Sequence, residues 1–459
     1  MSISRSVFRT LPLAAAVVMA FASNAQAQSL IEMYDAARGY DATFISAKAQ
    51  FEANLAKANQ TLGGILPNIA LSASATRTYF DLRYDSSSVT LPTGFVNPRL
   101  YGTGAAGVTL VQPIYRPAAW AAYRQGGRLL EQAAAQYEAA EQDLLVRVSQ
   151  AYFDVLTSED SLASVQAQKS AVGEQLASAK RNFEVGTATI TGVRDAQARF
   201  DLTTAQEIAA ENDLRIKRLA LDLAVGMSNA KPKRLADNSK LIPPPTENVD
   251  GWTSQAEVAS PAVRQAKLAL DVATLEVDKA TAGHKPTVDA QISYSGVRNI
   301  GGTSNTTTTS TALDNHIFSP SAAVVLNMPI FAGFSTMYRI RETVALEDKA
   351  RSDYENARRS TAQATRTAYF GLVAGLSQVK AYEAAEASTQ SALDANKLGY
   401  SVGVNINIDV LNSQSQLYQT KRDLAKARYD VLVGNLKLRQ AAGTLTPADL
   451  QPINDLLAP

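Results

Sequence analysis

Side chains that could perform catalysis or hold a metal ion are sparse in this sequence. Its 459 residues include two histidines and no cysteine, so thiol nucleophiles and thiolate metal sites are excluded. His284 and His316 stand far apart, and neither belongs to a cluster with metal-ligand spacing. The acidic pairs Glu159-Asp160 and Glu347-Asp348 are most simply solvated helix faces. The sequence therefore predicts no enzyme, no cofactor and no metal site.

Nucleotide and nucleic-acid binding are also disfavoured. The segment Gly102-Thr103-Gly104 lacks the following Gly-Lys pair of a phosphate-binding loop. The chain carries 44 Lys and Arg residues against 43 Asp and Glu residues, a formal net charge of +1. Such a balance leaves no basic footprint for nucleic acid.

The N-terminal segment has the pattern of a secretory signal. Arg5 and Arg9 precede a short apolar run from Leu11 to Ala22, and Ala25 and Ala27 are small residues at the positions that a signal peptidase reads. We expect cleavage after Ala27. The rest of the sequence has no run of about 18 apolar residues, which predicts either a periplasmic or secreted protein or one that crosses a membrane through a β-barrel.

The sequence contains an internal duplication. Ala151-Tyr152-Phe153 recurs as Ala368-Tyr369-Phe370, and Val185-Gly186 recurs as Val402-Gly403, in both cases 217 positions later. Motifs that recur in one order at one spacing indicate repeated supersecondary units. We therefore expect a signal peptide over 1–27, a first repeat over 28–230, a linker over 231–250, a second repeat over 251–445 and a C-terminal tail over 446–459.

Each repeat reads as helix, strand, loop, strand, very long helix, tight turn and long helix. The predicted helices cover Ser29 to Leu62, Arg116 to Glu184, Trp252 to Gly283 and Ala332 to Tyr400. A helix of about 70 residues is a rod on the order of 100 Å long. Apolar residues spaced by seven after the second turn, from Val410 to Leu438, predict coiled-coil packing.

The predicted strands alternate apolar and polar residues, as in a sheet that is wet on one side or in an outer-membrane barrel. Asn68 to Thr78 alternates in this way, and Thr287 to Tyr294 does so more cleanly. The predicted return strands are Gly104 to Gln112 and Ala322 to Met328, with polar loops over 85–102 and 301–315. Four strands cannot close a barrel, because about eight is the practical minimum. If these strands span a membrane, several chains must pool them, and composition does not choose between two chains and three.

Four stretches together resemble the TolC-type outer membrane efflux protein family. These stretches are Ser29 to Arg38, Gly283 to Asp289, Tyr400 to Leu411 and Tyr418 to Tyr429. The resemblance implies a homotrimer with a 12-stranded outer-membrane β-barrel that continues into a long periplasmic α-helical barrel. It also implies a passive exit duct for efflux pumps or type I protein secretion, which docks to a periplasmic adaptor and to an inner-membrane transporter of the RND, ABC or MFS type.

The resemblance assigns roles to residues at the two glycine turns. Two acidic side chains of the family form rings at the periplasmic constriction, and the matching positions here are Asp409 and Asn412. The alternative for Asp409 is capping of the following helix. By the same resemblance, side-chain links that close the tip are expected among Tyr400, Asn405, Thr191 and Gly192.

The sequence departs from the family pattern at these links. Asn405 stands where the family has a basic residue, and Gly192 stands where it has the acidic partner. Arg194 and Asp195 are the candidate replacements, and a resting tip that leaks ions is expected. The turn backbones resemble the grooves where adaptor hairpins dock, namely Val185, Gly186, Thr187, Val402, Gly403 and Val404.

A second class of function explains part of the sequence. A structural or adaptor coiled-coil protein of the periplasm, without a channel, accounts for the long helices. It does not account for four amphipathic strands and a threonine-rich loop. An extracellular hydrolase is disfavoured, because no nucleophile and base occur in a recognisable arrangement.

Overall fold

A computed structural model describes residues 27–83, 98–187, 189–236, 248–301 and 314–458. The predicted signal peptide apart from Ala27, most of the two predicted loops and residues 237–247 of the predicted linker lie outside these ranges. The chain divides into two units. The first comprises residues 1–49, 136–263 and 357–459, and the second comprises residues 50–135 and 264–356.

The elements follow the predicted order in both halves of the chain. The helices are α1 Leu30–Tyr40, α2 Ala42–Gln60, α3 Pro117–Glu184, α4 Ile190–Val225, α5 Val249–Ala259, α6 Pro261–Thr281, α7 Ser335–Ser401, α8 Asn407–Ala441 and α9 Gln451–Asn454. The strands are β1 Asn68–Phe80, β2 Arg99–Tyr115, β3 Thr287–Ile300 and β4 Asn315–Asn327.

The two long helices match their predicted lengths closely. α3 has 68 residues and α7 has 67, and each is followed by a helix of 36 or 35 residues. α3 begins at Pro117, where the missing amide hydrogen costs nothing in the first turn. α3 has no further proline and α7 has none at all, so nothing removes a backbone hydrogen bond along either helix. None of the helices in the described ranges is both long enough and apolar enough to cross a membrane.

The predicted single helices at the start of each repeat are wrong, because each is broken once. The first break is at Asp41, whose backbone is extended between α1 and α2, and whose carboxylate accepts a 2.7 Å hydrogen bond from the amide of Phe44. The second break is at Ser260, directly before Pro261. A capping aspartate and a proline are two ways to end one helix and begin another.

β1 to β4 form one antiparallel sheet in their sequence order. The return strands are longer than predicted, since β2 begins at Arg99 and β4 at Asn315, so His316 lies within a strand rather than at the end of a loop. β2 also continues through Pro113, where the register shifts before Tyr115. The ends of the strands are set by hydrogen bonds between strands, which the local residue pattern does not predict.

The two faces of this sheet differ in chemistry. Leu71 pairs with Val108, which pairs with Tyr294, and because side chains alternate along a strand these residues share one face. We call it the apolar sheet face; it is solvent-exposed in a single chain, with Leu71 77% exposed. The opposite face is polar, and there the hydroxyls of Ser293 and Ser321 lie 2.7 Å apart.

The largest apolar core lies in the first unit. It joins α1, the middle of α3, the ends of α4 and α8 and the C-terminal segment. Tyr152 and Phe153 are buried there, and the Tyr152 hydroxyl donates to the carbonyl of Lys233 at 2.9 Å. Burial of the hydroxyl raises the pKa of Tyr152 well above its ordinary value.

Candidate functional site

The two glycine turns share one backbone geometry. Gly186 and Gly403 have φ angles of 78° and 81°, a left-handed conformation that glycine adopts without steric cost. The amide of Thr187 donates to the carbonyl of Asn182 at 2.8 Å, and the amide of Val404 donates to the carbonyl of Gly399 at 2.8 Å. Both turns therefore end their helix with the same Schellman motif, at positions 217 residues apart.

The helices that follow the turns begin differently. The Thr189 hydroxyl accepts from the amide of Gly192 at 3.4 Å and lies 2.7 Å from the Thr191 hydroxyl. In the second turn the Asp409 carboxylate accepts from the amide of Ile406 at 3.3 Å. Thr191 and Gly192 thus belong to the first turn of α4, and Asp409 caps α8 within its own chain.

An open cleft of about 1050 Å³ lies between the two turns. Of the residues predicted for the gate and for adaptor docking, those that line it are Thr187, Thr191, Gly192, Asp195, Tyr400, Val402, Gly403 and Asn405. Glu174 and Lys397 also line it. The lining of the cleft therefore contains acidic and basic side chains together with amide and hydroxyl groups.

Near the two turns, three side-chain contacts join the first hairpin, α3 and α4, to the second hairpin, α7 and α8. The side-chain amide of Asn182 donates to the Tyr400 hydroxyl at 3.2 Å. The guanidinium of Arg199 donates to the Asn412 side-chain oxygen at 2.8 Å. The amide of Gln175 donates to the side-chain oxygen of Asn407. Of the predicted gate residues, Tyr400 and Asn412 are therefore each hydrogen-bonded to a side chain of the first hairpin.

Asn405 is held within its own hairpin. Its side-chain amide donates to the Asn396 side-chain oxygen at 2.7 Å, and Asn396 in turn donates to the Ser413 hydroxyl at 2.5 Å. A Cβ atom at Gly399 would lie 2.6 Å from the Asn405 side chain. Glycine at 399 therefore makes room for this network, which joins α7 to α8 without reaching the first turn.

Arg194 and Asp195 do not form the replacement links within one chain. Both side chains are exposed, and among the described residues neither makes an ion pair or a side-chain hydrogen bond. Asp409 is half-buried and likewise faces no cationic partner in the described ranges. The predicted docking residues Val185, Val402 and Val404 are exposed, with Val404 at 79%.

Small apolar clusters hold the hairpins together beside the cleft. Val172, Leu176 and Ala179 of α3 pack against Ala196 and the buried Leu411 of α8. Leu393 of α7 packs with Val410 and Leu417 in a second cluster. Burial raises the pKa of Tyr418, with the Glu174 carboxylate as a smaller cause. The polar links therefore sit at the end of an apolar seam.

Sequence reasoning missed Asn182, Arg199 and Gln175 as partners of the second turn. Only the repeat offset hints at one of them, since Asn182 is the counterpart of Gly399. The other two look like ordinary polar positions on long helices, and no periodicity marks them as contacts. Among the described residues no group of three or more His, Asp or Glu side chains could hold a metal ion.

Comparisons with known proteins concern the chain as a whole. Residues 33–227 and 252–444 match the family described as Outer membrane efflux protein. Outer membrane protein TolC of Vibrio cholerae serotype O1 is 32% identical over 447 residues, which cover 97% of this chain and 98% of that relative. Alkaline protease secretion protein AprF of Pseudomonas aeruginosa is 27% identical over 438 residues, covering 95% and 89%. The CmeC outer membrane channel of Campylobacter jejuni has a TM-score of 0.75 at 15% identity, covering 99% and 97%.

Proposed function

The chain belongs to the outer membrane efflux protein family, and from this premise we propose that it forms a homotrimeric exit duct with its gate at the two glycine turns. The single observation that carries the gate is the cleft between the turns, bridged by side chains of both hairpins. The duct itself is passive, since energy comes from an inner-membrane transporter that an adaptor connects to it.

Unpartnered surfaces support assembly with copies of the same chain. The sheet has four strands, and its outer edges at β1 and β4 have no strand neighbour among the described residues. An unpaired strand edge in hydrocarbon costs several kcal/mol for each unsatisfied group. Three copies supply twelve strands, which closes a barrel and places the apolar sheet face against lipid.

The helices also carry an apolar surface that one chain leaves open. Exposed residues recur along α4 on the side away from its buried positions, namely Leu202, Ile208, Ile216, Leu219 and Leu223. α7 exposes Phe370 and Val373. Apolar stripes at helical spacing are buried by packing against another helix. In the proposed trimer, a helix of the neighbouring copy packs against the stripe of each chain.

Asp409 is the residue that we propose as the selective part of the gate. Its cap contact engages one carboxylate oxygen with a backbone amide, and no cation neutralises it in the part of the chain that the structure describes. Three such carboxylates around one axis would repel one another and attract cations. Capping and constriction are therefore compatible roles for the same side chain.

Single-channel conductance of the reconstituted protein tests this proposal. Replacement of Asp409 by Ala is expected to weaken block by multivalent cations, with Asp430→Ala as a matched control, since Asp430 is an exposed carboxylate of α8 that Lys426 already pairs at 2.6 Å. Unchanged block would remove Asp409 from the lumen. Absence of any channel, with no heat-modifiable oligomer in outer-membrane fractions, would favour the coiled-coil alternative.

The adaptor is proposed to dock at the exposed turn backbones, Val185 to Thr187 and Val402 to Val404. Asn407 and Gln414, which line the cleft, each have a buried polar atom without a partner in the described protein. Buried polar groups are usually satisfied, so contacts made on assembly or docking are a natural source of these partners. Charge substitutions at Val185 and Val404 are expected to abolish adaptor cross-linking without loss of the oligomer.

Two transport systems could use this duct, namely drug efflux and type I protein secretion. One relative is named for alkaline protease secretion and another as an outer membrane protein. We propose service to both efflux and type I secretion, with RND, ABC or MFS transporters as partners. Deletion of the gene should raise drug susceptibility and deplete the secreted proteins; loss of only one phenotype would assign the duct to that system.

A further inference from the structure

A pair of arginines and a histidine lie at the loop end of the apolar sheet face. Arg298 pairs with Gly104 on one side and with His316 on the other, and Arg77 pairs with Gly102. The alternation of side chains puts all three on the same face as Leu71 and Tyr294. All three side chains are exposed, so a face that is otherwise apolar carries positive charge near its loop end.

No carboxylate among the described residues pairs with this charge. The acidic residue that the described strands contain is Asp289, which lies near the opposite end of β3 and is bound by Arg116 at 2.7 Å. Arg77, Arg298 and His316 make no ion pair with any described residue. A guanidinium that is exposed on an apolar surface is well suited to an external phosphate, because its planar donors match two phosphate oxygens at once.

The floor between the two arginines is open. β2 runs between β1 and β3 and presents only Gly102 and Gly104 there. A Cβ atom added at Gly104 meets nothing within 4 Å. Next to it lies a shallow hollow of about 380 Å³ that Gly104, Gly296, Arg298, His316 and Phe318 help to line.

The flanks of the hollow are aromatic. The rings of Phe318 and Tyr294 stack with centroids 6.3 Å apart, and Phe318 lies against Gly296. Aromatic rings of this kind are enriched where strands leave the hydrocarbon for the headgroup layer. Phe318 and Tyr294 lie on the helix side of the basic residues, and Tyr79, two residues beyond Arg77 on the same face and 66% exposed, supplies an aromatic ring on the loop side.

The depth of the cluster agrees with a position near the headgroup layer. Arg77 lies eight residues beyond Ile69, which is about 26 Å along the strand and about 20 Å of height at a tilt of about 40°. Arg298 and His316 are in register with Ala75, two residues before Arg77, and lie about 5 Å lower. The apolar band of outer-membrane barrels is about 25 Å tall. β1 and β2 are joined at this end by the loop, while their other ends lead to α2 and α3, so the cluster belongs to the loop-side leaflet.

We propose that Arg77, Arg298 and His316 bind the phosphate group of an anionic lipid of that leaflet, with its acyl chains lying over Gly104 and Ala106. The inference rests on the proposed contact of the apolar sheet face with lipid, and it does not depend on the gate or the cargo. A phosphomonoester lipid is the favoured class, because its headgroup is compact and carries more than one negative charge.

Retention of lipid by the full-length protein tests the proposal. Wild type and variants are reconstituted in phosphatidylcholine nanodiscs that contain a minor fraction of phosphatidic acid, extracted in mild detergent, and analysed for phosphatidic acid bound per chain by mass spectrometry. A basic residue near a membrane surface contributes about 1 kcal/mol, a factor of about five. The double variant R77Q/R298Q should therefore retain at least about fivefold less phosphatidic acid.

Three variants separate charge, shape and general damage. R83Q removes an arginine that is already paired with Asp81 and should retain lipid like wild type. R77K/R298K keeps the charge and should restore most of the retention. Gly104→Leu fills the open floor with the charge intact and should lower retention. Heat-modifiable migration checks the fold of each variant.

The contrary results are distinct. Equal retention by wild type and R77Q/R298Q would overturn the site, and so would displacement of the lipid by inorganic phosphate, which would indicate a free-anion site. R77Q/R298Q is expected to conduct ions like wild type. A wild-type protein that retains phosphatidic acid but never conducts would refute the duct and leave the lipid site standing.

Discussion

Tyr152-Phe153 of α3 and Tyr369-Phe370 of α7 are the same two residues at corresponding positions of the two repeats, yet one chain treats them differently. Phe153 is buried and stacks on Tyr429 with ring centroids 5.6 Å apart. Phe370 is 58% exposed. The tyrosines differ less, because both are buried. Duplication copied the residues, but the C-terminal segment packs only in the cluster around Phe153, whereas the end of α8 contributes side chains to the clusters of both repeats.

The difference in burial separates a region whose core is closed by its own chain from a region that leaves an aromatic side chain exposed. The first repeat builds a core from its own chain, with α1, α4 and the C-terminal segment around Phe153. The second repeat has a smaller cluster around Trp252, Tyr369 and Leu372 and leaves Phe370 outside it. In the proposed trimer, an adjacent copy covers Phe370.

Truncation of the two phenylalanines should give the largest difference in stability between the two repeats. Phe153→Ala is expected to lower the free energy of unfolding by about 3–5 kcal/mol, since it leaves a cavity in a closed core. Phe370→Ala should change the unfolding of a dissociated chain by about 0.5 kcal/mol or less, but should lower the temperature at which the oligomer dissociates in gel migration. Equal losses of chain stability would contradict the assignment.

The two glycine turns should respond alike. Gly186→Ala and Gly403→Ala each force a left-handed φ on a residue with a Cβ, at an expected cost of about 1–2 kcal/mol. Thermal unfolding followed by circular dichroism measures this. Gly371→Ala is the control, because that glycine lies inside α7 with nothing near its Cβ position, and alanine there should stabilise by about 0.5–1 kcal/mol. A neutral result at either turn would mean that the Schellman motif can be replaced there.

The helix breaks should differ in their dependence on pH. The Arg147 guanidinium, hydrogen-bonded to Asp41 at 3.0 Å, is the main cause that lowers the pKa of that carboxyl below its ordinary value. A lowered folded-state pKa adds stability above the unfolded value of about 3.9 and loses it as the pH falls through the folded value. Ser260 has no titratable side chain, so its break has no such dependence.

The variant Asp41→Asn keeps a capping side chain and removes the charge. The free energy of unfolding of wild type should exceed that of the variant by about 1 kcal/mol near neutral pH. This difference should disappear as the pH falls below about 4. Unfolding at a series of pH values measures the gap, with Ser260→Ala as a control whose effect stays constant. A gap that widens in acid would reverse the sign of the argument.

The links between the turns should have the smallest effect. Tyr400→Phe removes the hydroxyl that accepts from Asn182, a loss of about 0.5–1 kcal/mol, and should raise the open probability of the resting channel about two- to fivefold. Ser401→Ala removes a hydroxyl bonded only to Leu398 within α7 and should leave conductance unchanged. Equal conductance of wild type and Tyr400→Phe would exclude this link from the closed state, and comparison with a well-locked homologue would test the predicted leak.

Local chemistry determined most of the architecture. The 217-residue offset, the alternation in the strands, the absence of proline in the rods and the two glycines at 186 and 403 were enough for element order and for both reversals. These features are short-range, because a strand's alternation or a left-handed glycine is imposed by the residues themselves. The helix break at Asp41 was missed, because a capping aspartate inside a helical pattern is indistinguishable from a solvated one. The break at Ser260 was also missed, although Pro261 disfavours a helical backbone at the residue before it.

The tertiary structure alone decided which side chains meet. Arg199 reaches Asn412 and Asn182 reaches Tyr400 across more than 200 positions of sequence. Phe153 and Phe370 differ in burial although the same Ala-Tyr pair precedes both. Such pairings depend on the rotation of each helix about its axis and on the segments that cover it. Neither quantity is encoded in local residue pattern, because a helix with two apolar stripes can turn either one toward the core.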